Sequence, residues 1–481
     1  MRKQAVWRVL VLVLVCAFAL LAEEVPPATT AGDVAALKAQ LAAQQEELRQ
    51  LRELLRRQGM ALEALQRQLG APAAPALAAA SLSEIPAAPE PVPLEERVGK
   101  LEETVAANQQ QSEKKLKGLG NFSFSGDLRV RYEPFFQDAV PQRHRERARL
   151  RFEARADISK ELSGGLRLAT GGLGDPITTN QTFTGFFTRK PIDLDRFWLT
   201  YKPEYAPWFS ITAGKFAYSW QRTELTFDND LNPEGFSETL SFNFSDSPLT
   251  NLTLVGFQLP FNEASTGGDS FIWGGQVQTR WKLNDRTRLG LYATGVNFRN
   301  ADVIARAMGS GAFVPSLPLS NSVRVDTLGN VIGFAGRFAY LDLLAELNHE
   351  WRPRWPVRLT FDFVNNLRAS SSERSAYWGE IALGRTREKG DWLFDYTLMR
   401  IEKDAVIGAY SFSDTRASTN VINHRLHSAY QVHKNVTLEY TLLVGRLFNP
   451  QDNLNLVPAA LQPAARDPFL SRMQFDVIYK F

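Results

Sequence analysis

From Asn121 onward apolar and polar side chains take turns along the chain. Phe122, Phe124, Leu128, Val130 and Tyr132 are interleaved with Ser123, Ser125, Asp127, Arg129, Arg131 and Glu133. A period of two belongs to an extended strand with one apolar and one wet face. The next segment repeats it, with Ala148, Leu150, Phe152, Ala154, Ala156 and Ile158 set against Arg147, Arg149, Arg151, Glu153, Arg155 and Asp157. Counting these two, the pattern predicts about sixteen strands. The others lie near 166–172, 194–202, 208–217, 236–245, 251–259, 271–283, 287–298, 335–350, 357–366, 375–387, 391–402, 420–432, 435–448 and 469–481.

Upstream the beat is different. Val34, Leu41, Leu48, Leu55, Leu62 and Leu69 recur every seven residues, Leu37, Leu51 and Leu65 fill the second core position, and Gln44 and Gln58 occupy its remaining slots. A repeat of 3.5 residues held over about five heptads keeps its seam facing a partner only in a left-handed supercoil, so 30–70 is expected to be a coiled coil. The alternative is a single amphipathic helix folded against its own chain, which usually carries a wider apolar stripe. Gly70, Ala71 and Pro72 end the helix, and Ala/Pro-rich sequence makes 71–93 a semi-extended linker. A weaker heptad fragment, Leu94, Val98, Leu101 and Val105, predicts a short helical segment over 94–118.

The connections between predicted strands decide the architecture. Every second one is short: 160–165, 204–207, 246–248, 284–286, 352–356, 389–391 and 433–435. The intervening ones are long, including 134–146, 174–192, 218–235, 299–333, 403–418 and 449–467. Short turns at one end and long loops at the other are the mark of a transmembrane β-barrel with the short ends in the periplasm. The apolar faces carry Phe197, Tyr201, Phe242, Phe244, Trp273, Trp281, Phe361, Trp392, Tyr396 and Tyr440, which in a barrel face lipid and form girdles near the strand ends. The fold expected for 121–481 is an all-β transmembrane antiparallel barrel of about 16 strands, preceded by a periplasmic α-helical coiled coil.

In the last segment Met473, Phe475, Val477, Tyr479 and terminal Phe481 share one face and alternate with Gln474, Asp476 and Lys480. A final strand ending in phenylalanine resembles the assembly signal of bacterial outer-membrane proteins. The resemblance gives Phe475, Val477, Tyr479 and Phe481 that role, with the outer-membrane barrel assembly machinery as partner. The whole of 121–481 resembles an outer-membrane porin. Asp195-Arg196-Phe197 through Lys202-Pro203, followed by Ile211-Thr212-Ala213-Gly214-Lys215-Phe216, resembles the "putative porin" family. A coiled coil ahead of the barrel also resembles sugar-specific and phosphate-selective porins. Related porins are trimers, so the resemblance implies a homotrimer joined through the coiled coil and the barrel. It also implies the cell outer membrane as location, with outer-membrane lipid and small hydrophilic solutes as partners.

Composition sharpens the picture. Of 481 residues 44% are apolar, 22% charged and 11% aromatic, with a mean hydropathy of -0.23, which excludes a polytopic helical membrane protein, a collagenous repeat and a wholly disordered chain. The formal charge of +3 has a local origin. Arg2, Lys3 and Arg8 precede an apolar run over 9–22 that is shorter than the roughly 20 residues a spanning helix needs. This reads as a secretory signal peptide over 1–22, cut after Ala22 ahead of Glu23 and Glu24. A lipoprotein anchor at Cys16 is disfavoured because Val15 stands where such anchors take Gly, Ala or Ser. Removing those three basic residues from the chain's 55 leaves 52 against 52 acidic ones, so the mature chain is formally neutral.

If the apolar set faces lipid, the polar set faces the lumen, and sixteen strands enclose an aqueous channel. Arg129, Arg131, Arg147, Arg149, Arg151, Arg155 and Arg167 then form a basic wall, tempered by Asp127, Glu133, Glu153 and Asp157. Asp342, Glu346 and Glu350, with Asp362 and Asp395, form an acidic wall about half a circumference away. The loop over 218–235, with Glu224, Asp228, Asp230 and Glu234 against Arg222, is expected to fold inward and narrow the pore. Opposed walls would set up a transverse field that orients dipolar or charged solutes. The bland alternative is that these charges merely solvate the lumen.

Other chemistries find little support. Read as a helix, 143–162 would place Arg147, Arg151 and Arg155 on one face as a nucleic-acid surface, but the alternation, the export signal and the neutral mature charge argue against nucleic acid. His424 and His427, three apart, fall on opposite faces of a strand, and His144, His349 and His433 are scattered, so no metal site is expected. One cysteine allows no intrachain disulfide. There is no Gly-x-Ser-x-Gly elbow, and Gly171-Gly172-Leu173-Gly174 lacks the helix a nucleotide loop requires. Neither an enzyme nor a cofactor is expected. The function read from the sequence is a channel for passive diffusion of small hydrophilic or charged solutes. The alternative is a structural tether whose coiled coil reaches the periplasm or cell wall while the barrel anchors it.

Overall fold

A computed structural model describes residues 122–265 and 268–481. The signal peptide, coiled coil, linker and short helical segment expected over 1–22, 30–70, 71–93 and 94–118 lie outside the described residues. What is described is one closed antiparallel barrel of sixteen long strands. They are β1 (Phe122–Gln137), β2 (Val140–Asp157), β3 (Leu162–Thr170), β4 (Ile192–Tyr201), β5 (Phe209–Lys215), β6 (Glu234–Asn243), β7 (Leu249–Asn262) and β8 (Ser270–Asn284). The second half comprises β9 (Thr287–Arg299), β10 (Ala339–Arg352), β11 (Trp355–Asn366), β12 (Ser375–Gly384), β13 (Trp392–Ile401), β14 (Val421–His433), β15 (Val436–Leu447) and β16 (Leu470–Lys480).

Each strand pairs with its neighbours in sequence, and β1 closes the ring on β16, with Val130 opposite both Ala148 and Val477. Closure removes both edges of the sheet, so no backbone amide of the ring faces hydrocarbon unpaired. The outward set is apolar and exposed: Leu128, Val130 and Tyr132 on β1, Phe197 and Leu199 on β4, Phe475, Val477 and Tyr479 on β16. At the short-turn end Trp392 stacks on Phe394 at 5.5 Å and lies 4.5 Å from Tyr430, while Phe394 stacks on Trp355 at 6.4 Å. This is one arc of an aromatic girdle.

One expected loop is corrected. Instead of a loop over 134–146, β1 and β2 continue as a paired hairpin and reverse at a tight turn, with Gln137 opposite Val140 and Ala139 at a φ of 62°. The remaining connections at that end are L2 (171–191), L3 (216–233), L4 (263–269), L5 (300–338), L6 (367–374), L7 (402–420) and L8 (448–469). L5 carries the helix α1 (Asp302–Gly309) and a hairpin of Val323–Val325 with Val331–Phe334.

The core sits inside the barrel. L3 contributes Phe216, Trp220, Leu225 and Phe227, L5 contributes Ile304, Phe334 and Phe338, and L7 contributes Val406 and Ile407, all packed against inward Phe257, Phe298, Val364 and Met399. Trp220 stacks on Phe257 at 4.1 Å. Burying side chains of this size stabilises the arrangement by about 1.5–3 kcal/mol each, which is what holds long loops against the wall. Glycines set the entry of L3. Gly214 and Gly235 face each other across β5 and β6 with φ of 116° and 136°, a region open to glycine but strained for other residues.

Candidate functional site: the charged lumen

Alternation along β1, β2 and β16 turns one file of charged side chains inward, and the register lays them side by side. Arg131 stands opposite Arg147 on β2 and Asp476 on β16, and Arg129 stands opposite Arg149. Arg131 binds Asp476 through two parallel hydrogen bonds, Nε to Oδ1 and Nη2 to Oδ2, both 2.7 Å. Asp127 accepts from Arg149 Nε at 2.8 Å and from Arg151 Nε at 2.6 Å. Glu133, fully buried, accepts from Arg145 Nε at 2.7 Å, Arg472 Nε at 2.6 Å and Gln474 at 2.9 Å. Arg167 pairs with Asp195. Arg155 is exposed towards the short-turn end, beside Ser123. Arg129 and Arg147 touch L2 instead: Arg129 donates to Asn180 Oδ1 at 2.5 Å, and Arg147 donates to Thr178 Oγ1 at 3.3 Å and the Asn180 carbonyl at 3.5 Å.

The acids that meet this sector come from loops as well as strands. Asp414 of L7 accepts from Arg472 at 2.6 Å and Gln474 at 2.8 Å, with Arg131 at 3.6 Å. Burial works against its charge, but Arg472 and Arg131 outweigh that and hold it far below the ordinary carboxylate range. Asp230 of L3 lies 3.6 Å from Arg151 and accepts from the Thr179 amide at 3.1 Å. Asp228 joins L3 to L7, accepting from the Ser413 amide at 3.0 Å while its own amide donates to the Tyr410 carbonyl at 2.7 Å. Burial, and then the neighbouring Glu224 and Asp230, push the Asp228 carboxyl well above its ordinary range. Burial likewise raises Glu224, although Arg425 lies 3.4 Å away and opposes the shift.

The expected acidic wall is not one surface. Asp342 and Asp362 are buried beneath L3, where Thr223 Oγ1 donates to Asp362 Oδ2 at 2.5 Å. Asp395 serves His427 at 2.6 Å, next to Arg425 at 3.8 Å. Glu346 accepts from the Asn348 side-chain Nδ2 at 2.5 Å, and Glu350 is exposed beside Arg288 at 3.0 Å. Glu234 is corrected more sharply: it opens β6 rather than belonging to the loop, and it is exposed and bonded to Lys215 at 2.6 Å. Sequence reasoning missed Asp414 and Arg472. Arg472 was legible, because it shares the parity of Asp476 opposite the apolar face of β16. Asp414 carried no signal, since a loop has no period to read.

At the seam, the Phe481 carbonyl accepts from the Gly126 amide at 2.9 Å and the Phe481 amide donates to the Gly126 carbonyl at 3.1 Å. Phe475 stacks with Tyr132 at 6.1 Å and lies 5.0 Å from Tyr440.

Residues 124–309 match the family model described as "Putative porin". No curated protein matches the chain. Among solved structures the chain is similar to the high-pH structure of Pseudomonas putida OprB, at 11% identity and a TM-score of 0.49 over 78% of this chain and 97% of that one. It is also similar to the anion-selective porin from Comamonas acidovorans, at 10% identity and 0.43 over 75% and 99%. For Salmonella typhi OmpF in complex with daunomycin the values are 11% and 0.42 over 75% and 98%. The match over 124–309 falls on the first half of a closed sixteen-stranded barrel whose outer face is apolar, and the described barrel resembles an outer-membrane porin of the putative porin family.

Proposed function

We propose that the barrel is a channel for passive diffusion of small hydrophilic or charged solutes across the outer membrane, and that its charged sector selects among them. The two-sided wall carries this reading. Its outer face suits hydrocarbon, while Arg129, Arg131, Arg147, Arg149, Arg151 and Arg167 point to the other side, with Arg155 nearer the mouth. The acids facing them come from the strands, as Asp127, Asp195 and Asp476, and from L3 and L7, as Asp230 and Asp414, with Asp395 and the buried pair Asp342 and Asp362 farther round the ring. A solute passing between the arginines and the loops would feel a field across its path.

Purified protein in a planar bilayer should give stepwise conductance, and a well-folded barrel that never conducts would leave the tether as the better reading. Replacing Arg147, Arg149 and Arg151 with glutamine should lower anion permeability relative to cation, read from the reversal potential in a salt gradient. An unchanged potential sinks the selecting role of the basic wall.

The arm over 30–70 is proposed to hold three copies together from the periplasm. On a gel without boiling, the full chain should run as a compact trimer that dissociates on heating, and deletion of 30–70 should abolish that band while the barrel still shifts. The face formed by Phe475, Val477, Tyr479 and Phe481 is proposed as the mark recognised by the assembly machinery.

A further inference from the structure

We propose that the outer face of β7, β8 and β9, at mid-depth of the apolar belt, is a contact surface for a second copy of this barrel and seats the knob that Phe361 and its neighbours form on that copy. The inference rests on the three-copy reading above and names the barrel faces that meet.

Three features of this face suit protein better than hydrocarbon. Gly256, Gly275 and Gly295 stand opposite one another on the three strands and share the outward parity, since Phe257 and Val296 turn to the inner core and Gln276 to L3. They form a trench in which a Cβ at Gly295 would meet nothing within 4 Å. Glycine offers lipid little to pack on but lets another chain approach closely. Opposite Gly256, on β6, Glu238 points the same way and accepts from Gln258 Nε2 at 3.2 Å. It lies four residues from Phe242, which stacks on Trp208 at 5.9 Å, and four from the Lys215–Glu234 pair at the other rim. At the rise of a tilted strand that is about 10 Å inside a belt roughly 25 Å tall. An ionisable side chain at that depth is costly against lipid and marks a face that something covers. Asn297, two residues beyond Gly295 on the same face, is 6% exposed, and its Oδ1 meets no donor among the described residues.

The same barrel carries the counterpart. On β10 to β12 the outward side chains of Leu343, Leu359, Phe361, Tyr377 and Ile381 stand clear of the wall, Phe361 at 53% exposure. Phe361 is six residues from Trp355 of the girdle, and Gly275 is six from Trp281 near the same end, so knob and trench sit at one depth. β8 and β11 are three strands apart, about 68° around a ring of sixteen. Identical subunits that meet knob to trench close a ring when the two contact faces of each diverge by the corner angle of the polygon, about 60° for three copies and about 90° for four. The placement of the two faces therefore fits a ring of three. Phe361 fills the trench, and Tyr377 brings a hydroxyl that can donate to Glu238, which an acyl chain cannot do.

The test cross-links the full chain in isolated outer membranes, with Cys16, its one cysteine, changed to serine. Gly295→Cys with Phe361→Cys should give covalent dimers and trimers on oxidation. The two positions flank β10 and are offset by four residues along the strand, too far apart to join within one chain. Neither single variant should cross-link, nor should Val130→Cys on β1, across the ring. If the double variant fails to shift on a heat-modifiability gel, Ile381→Cys replaces Phe361→Cys as the knob-side thiol. Glu238→Leu discriminates by sign. On a face open to lipid, removing the acid leaves the dissociation temperature of the trimer band unchanged or raises it, which would overturn the proposal, whereas on a covered face it lowers that temperature and the cross-linked yield. A folded double variant that runs as a trimer without any covalent band overturns this interface alone, as would copies that join through Val130→Cys. A cross-linked trimer that persists when 30–70 is deleted supports the interface and removes the role of the arm. A full chain that runs only as a monomer and never cross-links overturns both.

Discussion

Gly126 shows how much one hydrogen atom in place of a side chain can decide. A Cβ there would run into the Arg151 carbonyl and lie 2.6 Å from the Phe481 ring, so the last residue of the chain lies flat over the first strand only because position 126 is bare. Gly126→Val should cost about 1–3 kcal/mol of barrel stability, the usual cost of overpacking, and lower the temperature at which the compact gel band shifts. An unaltered shift temperature would mean that the seam tolerates the intrusion. Asp414 is the complementary case, a single loop carboxylate held by Arg472, Gln474 and Arg131. Asp414→Ala takes one carboxylate from Arg472, which keeps Glu133, and should cost about 1–3 kcal/mol for the donors left unmet, releasing L7 from the β16 wall. Faster proteolysis within 402–420 on intact cells would report that release.

At the scale of elements, strands were legible and loops were not. A strand crossing hydrocarbon must present an apolar face, so its period is enforced by the solvent on one side, and all sixteen strands lie where the alternation placed them. Above the membrane that constraint ends. The upper hairpin of β1 and β2 runs through Pro134, Pro141 and a crowd of charges, and its pairing leaves no trace in hydropathy. The inward apolar residues of β7 to β13 were hidden for a related reason, because a strand position that meets L3 or L7 needs the same residue types as one that meets lipid. The L3–L7 contact has its own pH signature. Asp228 titrates above its unfolded value, so it contributes stability that is present at low pH and lost as pH rises from the ordinary carboxylate range through the raised value. Asp228→Asn gives up one acceptor but removes the charge, so its thermal stability relative to wild type should improve steadily as pH rises through that window. A difference that stays flat with pH would place the titration elsewhere.

For the whole molecule, the sequence marked which residues lie inside far better than what they do there. Parity alone put Arg129, Arg131, Arg147 and Arg149 in the lumen, but no period could tell that Arg131 is quenched by Asp476 from across the closing seam while Arg147 donates to neutral oxygens of L2. Those facts depend on ring closure, which joins residues some 345 positions apart. Partners on adjacent strands, such as Asp127 with Arg149, were within reach of register arguments, whereas contacts with loops were not.

The two-sided wall has a consequence for how such a channel changes over generations. Each strand carries two independent texts in one string of letters: one parity answers to the bilayer and the other to the cargo. A substitution at an inward position that takes part neither in the seam nor in the loop core leaves the lipid-facing set as it was, so solute preference can change there while the vessel that holds it stays constant.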